Sequence, residues 1–201
     1  MSTIVDLVRH GTVEGPPRLL GLTEAPVTAA GLAALDRQAS RRNWQAIVTS
    51  PRDRARAGAE HVARRRGAAV TIDADWAEMD FGAWDGRPLA ELKAEGALGD
   101  AFATFLEDPT RLGPPGGEDW ETFTRRLARG LDRVAGVDAA PGTVAVVTHA
   151  GALRGALAVT TGLRLVDLWR LRIEYGTRVT LHYGRAGDGR LWGEIVEVVQ
   201  P

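Results

Sequence analysis

The hydrophobic pattern of this chain switches repeatedly between two periods. Short apolar blocks at residues 3–8 and 46–49 predict buried strands, and those at 69–73 and 143–148 two further strands of the same sheet. Between these blocks apolar residues recur at three- and four-residue spacing. Thr28 stands as the cap of a helix over 29–41 with Leu32 and Leu35 turned inward, and Pro51 suits the first turn of a helix reaching Arg66. A longer helix over 119–135 carries Phe123, Leu127, Leu131 and Val134 on one face, and another follows over 150–161. Residues 178–184 and 191–199 predict a hairpin at the sheet edge, turning around Gly187-Asp188-Gly189. This alternation implies a three-layer α/β/α sandwich with a mostly parallel central sheet.

From Asp75 to Gly117 the period weakens, and glycines at 82, 86, 96, 99 and 113 divide the stretch into short helices near 88–95 and 99–107. Residues 75–117 are therefore expected to form a small helical and loop insertion, a cap over a site, within one domain spanning 1–201. With 201 residues, 44% hydrophobic and 25% charged, the chain has the bulk of an ordinary globular domain. The net charge of −1 offers no global field for nucleic acid or for an anionic membrane. Of the 25 basic residues all but Lys93 are arginine. There is no cysteine, which excludes disulfides, thiolate zinc sites and cysteine nucleophiles. The N-terminal apolar run is too short for a signal peptide and contains Asp6, so it reads as the first core strand of a cytoplasmic protein.

Two segments carry the candidate chemistry. Asp6-Leu7-Val8-Arg9-His10-Gly11 and Val146-Val147-Thr148-His149-Ala150-Gly151 each run an apolar strand into a histidine and then a turn. In an open α/β sheet, side chains at the carboxyl ends of adjacent strands share one crevice. A third strand end, Ser50-Pro51-Arg52-Asp53-Arg54, adds guanidinium groups, whose planar fork suits a tetrahedral oxyanion.

Arg9-His10-Gly11 resembles the signature of the histidine phosphatase superfamily. Ser50-Pro51 with Arg54, Glu78 in Glu-Met-Asp-Phe-Gly-Ala-Trp-Asp-Gly, Pro115-Gly116-Gly117-Glu118 and Thr148-His149-Ala150-Gly151 follow in that family's order. The resemblance implies that His10 attacks phosphorus and becomes a phosphohistidine, with Arg9, Arg54 and His149 around it and Glu78 as the acid and base. It also implies that Gly11, Thr12, Gly21, Thr23 and Ala150 lie on the phosphate side and that Arg87 reaches the distal part of the substrate. Positive side chains would then supply the charge, with no metal and no cofactor. The partner is a small-molecule phosphate ester; Trp169 and Trp192 are expected in the core or in a contact between copies, as in a homodimer.

Glu78 to Gly86, Pro114 to Glu118, Leu153-Arg154 and Tyr175-Gly176 are similar to the α-ribazole phosphatases of that superfamily, which implies a phosphatase rather than the longer mutases. A broad, sugar-phosphate or glycerate-phosphate activity stays open, because fold and transfer machinery do not fix the leaving group. One departure is Thr12-Val13-Glu14-Gly15-Pro16, where many members have Gly-Glu-Thr and a later Asn. Two rivals were weighed. One is a magnesium-dependent aspartate nucleophile at Asp73-Ala74-Asp75, with Ala77 in the last motif position; the other is a non-catalytic phosphate-ester sensor, against which stand both His10 and Glu78.

Overall fold

A computed structural model describes residues 2–94, 96–137, 139–140 and 142–201. Its strands are β1 (Ser2–Arg9), β2 (Ala46–Thr49), β3 (Ala69–Ile72), β4 (Val144–Thr148), β5 (Arg178–Arg185) and β6 (Leu191–Val199). They form one sheet in the order β3-β2-β4-β1-β5-β6. The first four run parallel, and the last two form an antiparallel extension beside β1. The helices are α1 (Ala29–Ser40), α2 (Asp53–Arg66), α3 (Leu89–Leu92), α4 (Ala97–Glu107), α5 (Trp120–Ala135), α6 (Ala150–Thr161) and α7 (Leu165–Leu168).

Two apolar clusters, one on each face, make the three layers. Leu35, Ala39, Ala55, Ala59 and Val62 of α1 and α2 pack on Val8, Ile47, Ala145 and Val147. Phe123, Leu127, Leu131, Leu153 and Leu157 of α5 and α6 pack on Val5, Leu7 and Val146 of the other face. Consecutive residues of β1 and β4 enter opposite clusters, as strand geometry dictates, and both sets are buried. Asp6 of β1 is buried but paired: it accepts from Trp44 Nε1 (2.7 Å), Thr180 Oγ1 (2.6 Å) and Arg178 Nη1 (3.1 Å). A buried charge satisfied in this way fixes β1 against β5. Among the described residues no helix is long and apolar enough to cross a membrane.

Several expected boundaries shift. The helix after β2 starts at Asp53, and Pro51 lies outside it: Ser50 N–H is still bonded to the Val147 carbonyl (3.0 Å), so the chain turns before it winds. The strand expected over 69–73 ends at Ile72, because Asp73 caps a short 3-10 turn by accepting from Asp75 N–H (3.0 Å). Of the hairpin placed at the edge, only β6 is an edge strand. β5 lies inside the sheet, covering the side of β1 that β4 leaves free. Helix α7 was not anticipated, since four residues are too few to show a period.

Candidate active site

His10 and His149 are delivered by neighbouring parallel strands. Arg9 of β1 stands opposite Thr148 of β4, and His10 N–H donates to the Thr148 carbonyl (2.8 Å) as the strands end. The two imidazoles lie edge to face, 5.1 Å apart at an angle of 63°. His10 Nδ1 donates to the Gly11 carbonyl (2.9 Å), which leaves the Nε2 lone pair of the neutral ring free. Burial, then Arg9 and Arg54, hold His10 well below the usual imidazole range, so the neutral form persists. His149 is lowered in the same direction by burial and by His10 and Arg54. Its Nε2 meets Ser50 Oγ at 2.7 Å. That hydroxyl also accepts the Arg52 N–H (3.2 Å); when its own proton points to Nε2, the His149 ring proton is carried on Nδ1.

Among the described residues, the buried nitrogens without a protein partner include Arg9 Nε, Arg52 Nε, Arg54 Nε and His149 Nδ1. Buried donors are normally paired, so this set is the complement an oxyanion would satisfy. The rest of each guanidinium is fixed. Arg9 Nη1 donates to the Ile173 carbonyl (2.8 Å), and the group lies 3.7 Å over the Tyr175 ring. Arg54 donates to the carbonyls of Leu20, Gly21 and Thr23, each at 2.9 Å. Asp85 holds the same loop from its other side, accepting from the N–H groups of Gly21, Leu22 and Thr23 and from Thr23 Oγ1.

Glu78 reaches the site from the loop after β3 and docks on the first turn of α6. Its Oε2 accepts from Gly151 N–H (2.9 Å), and Oε1 accepts from Ala152 N–H (3.1 Å) and Met79 N–H (3.0 Å). Orphan donors at a helix start suit a carboxylate. The loop itself is held by Arg126 of α5. Arg126 grips both Glu118 oxygens at 2.8 Å and donates to the carbonyls of Asp75, Ala77 and Glu78, which uses all five guanidinium hydrogens. The site also needs a residue without a side chain at 151, where a Cβ would come 2.3 Å from Glu78 Oε1. Gly151→Ala is therefore expected to displace the carboxylate and lower turnover of an alkyl phosphate about 10- to 100-fold, a share of the usual worth of acid–base catalysis. Thermal unfolding should be unchanged or raised, since alanine favours the helix. Wild-type turnover by Gly151→Ala would show that the Glu78 placement is unimportant.

The sequence profile of the histidine phosphatase superfamily (branch 1) matches residues 5–192. The chain belongs to the histidine phosphatase superfamily. Members of this superfamily hydrolyse phosphate esters. The chain is 34% identical over 179 residues to a bifunctional protein of Mycobacterium tuberculosis, covering 84% of the chain and 47% of the relative. The chain thus spans about half the length of the mycobacterial proteins it matches. It is 29% identical over 175 residues to the adenosylcobalamin/α-ribazole phosphatase of Salmonella typhimurium, covering 85% of each. In fold it is similar to mycobacterial glucosyl-3-phosphoglycerate phosphatase, with a TM-score of 0.82 at 21% identity over 98% of each chain. The α-ribazole phosphatase from Shigella flexneri gives 0.74 at 22% identity over 96% of this chain and 94% of that one.

A cavity of about 540 Å³ opens over the site, and of the residues expected to act on the phosphate or the substrate Arg9, His10, Glu78 and Ala150 line it. His149 and Arg54 sit behind His10. Gly11 is pressed against α1, where a Cβ would lie 2.4 Å from the Gly31 carbonyl oxygen, and Thr12 is exposed beside it. Gly21 and Thr23 lie on the loop between Arg54 and Asp85, and the Thr23 hydroxyl is committed to Asp85. Arg87 is not brought to the cavity: it is exposed and pairs with Glu91. Trp169, expected in the core or at an interface, instead lines the cavity at 41% exposure. Asp73 and Asp75, the rival nucleophile pair, are engaged by Arg129 and Arg133 of α5. Sequence reasoning missed Asp85, Arg126 and the roles of Ser50, Arg154 and Tyr175. Of these, Ser50, Asp85, Arg154 and Tyr175 stood inside the motifs named above, whereas nothing local marks Arg126.

Proposed function

We propose that this chain is a metal-independent phosphomonoesterase working through a phosphohistidine at His10. The observation that carries the reading is the free Nε2 lone pair of a neutral, buried His10 next to Arg9, Arg54 and His149, each of which has a buried nitrogen without a protein partner. In the first step Nε2 bonds to phosphorus as the ester P–O bond breaks, and the departing oxygen takes a proton from Glu78. Ionised Glu78 then takes a proton from water as the water oxygen bonds to phosphorus and the N–P bond breaks, releasing phosphate and restoring His10. The guanidinium groups stabilise the equatorial oxygens in both transfers, which is the work a metal ion does elsewhere.

The substrate to try first is α-ribazole 5′-phosphate, favoured by a relative of matching length named for that activity. Glucosyl-3-phosphoglycerate and other sugar or glycerate phosphates are the alternatives, named by structural neighbours. The protein is read as acting in the cytoplasm on a small phosphate ester, without a membrane or nucleic-acid partner. The test is a phosphate-ester panel run with and without excess chelator, together with acid and alkaline quenching of enzyme mixed with labelled ester. An acid-labile, base-stable phosphoenzyme and chelator-resistant turnover are expected. Strict magnesium dependence, with label lost on Asp73→Asn and kept on His10→Ala, would establish the aspartate mechanism instead.

A further inference from the structure

We propose that the cavity beyond the transfer site is an apolar chamber for the ester's alcohol, selecting an uncharged body with a flat hydrophobic ring over a sugar or a carboxylic acid. The inference rests on the phosphatase reading and adds the class of leaving group. From Arg9, His10 and Glu78 the cavity runs between α4 and α7, walled by Phe102, Phe105, Trp120, Phe123, Trp169 and Ile173. No Asp, Asn, Gln, Ser or Thr is among the described residues that line it. A sugar entering it would lose water from each hydroxyl and, beyond the reach of Arg18, Lys93, Arg154 and the Tyr175 hydroxyl, meet aromatic and aliphatic carbon, at a cost in unpaired hydroxyls that a flat ring does not incur. A flat ring loses nothing polar and gains aromatic edges and faces.

The cations of the cavity do not oppose this reading. Arg18 and Lys93 are exposed at the mouth, where positive charge draws in the phosphate dianion without defining the body behind it. Arg154 is buried, donates to the Leu171 carbonyl (3.2 Å) and lies 4.3 Å over the Trp169 ring, so its charge is turned onto an aromatic face. Trp169 in turn donates from Nε1 to the Leu106 carbonyl (2.7 Å), joining the end of α7 to the end of α4 and closing the chamber's outer wall. It is the chamber residue whose replacement disturbs the core least.

The test is equilibrium binding, which needs no turnover. Naphthylethylphosphonate, ethylphosphonate and phosphonoacetate are titrated into the intact protein by calorimetry. The naphthyl compound is expected to bind at least about 30-fold more tightly than ethylphosphonate, a conservative share of the transfer free energy of a bicyclic ring. Phosphonoacetate should bind no more tightly than ethylphosphonate. Trp169→Ala should reduce the naphthyl advantage to below about tenfold, as expected from removing one aromatic wall. Affinities equal within about threefold, or tightest binding of phosphonoacetate, would overturn the proposal. Failure of the phosphatase reading shows separately, as no phosphoenzyme on His10.

Discussion

His10→Ala should abolish turnover and phosphoenzyme formation while leaving a folded protein. The imidazole closes a cavity and contributes little apolar contact, and its one hydrogen bond is to the neighbouring Gly11 carbonyl. Loss of a covalent nucleophile removes the route itself, so activity should fall by at least about 10⁴-fold, to the level that bound water and the remaining donors support. Stability offers a second readout. His10 and His149 have folded-state affinities for protons well below the ordinary imidazole value, so in acid the unfolded chain binds more protons than the folded one. Stability contributed by these neutral rings is complete above about pH 6.5 and is lost as pH falls below it, by up to about 1.4 kcal/mol per pH unit for each histidine. His10→Ala should therefore lose stability less steeply than wild type between about pH 6.5 and 5. Equal slopes in denaturant titrations would mean that His10 is not held neutral, and an active variant would remove it as the nucleophile.

Glu78→Gln should divide substrates by their leaving groups. An alkyl phosphate needs a proton on the departing oxygen and should lose about 10²- to 10⁴-fold in rate, whereas the transfer step of a nitrophenyl ester should lose less than about tenfold. Hydrolysis of the phosphoenzyme needs the same group as a base, so the nitrophenyl ester should give a burst followed by a slow steady state. Geometry sharpens the expectation. Both carboxylate oxygens accept N–H groups, Oε2 from Gly151 and Oε1 from Ala152 and Met79, so the amide nitrogen of a glutamine must face a donor on either side. The variant is thus misplaced as well as unable to exchange a proton. Oε2, with one N–H bonded to it, keeps a lone pair for the proton it would deliver. Equal losses for both ester types in single-turnover measurements would make Glu78 structural. Glu118 is a poor substitute, since both of its oxygens are gripped by Arg126.

The strand-end histidines were legible because each closes an apolar block, and a parallel sheet brings such ends together whatever their separation in sequence. The partners of the other side chains were not. Thr23 and Arg87 have residue types that suit phosphate, but a hydroxyl already given to Asp85 and a guanidinium already facing Glu91 look no different in the sequence. Arg126 lies between the inward Phe123 and Leu127 of a regular helix, and its bonds to Asp75, Ala77 and Glu78 cross 48 to 51 residues. No local period reports such a contact. Trp169 belongs to a segment whose only helix is four residues long, so neither burial nor direction could be read there.

The place of β1 between β4 and β5 also sets when the site can exist. The proposed nucleophile leaves the ribosome before the strands that flank it, which begin at residues 144 and 178. Every local helix can form earlier; the reacting pair cannot. Folding must therefore close the long loop from Val5 to Val144 before β1 has a partner on either side, which predicts slow, late consolidation of the sheet centre. Until β4 and β5 have been made the growing chain carries a solvated imidazole at position 10, and the chemistry proposed for it depends on their pairing with β1.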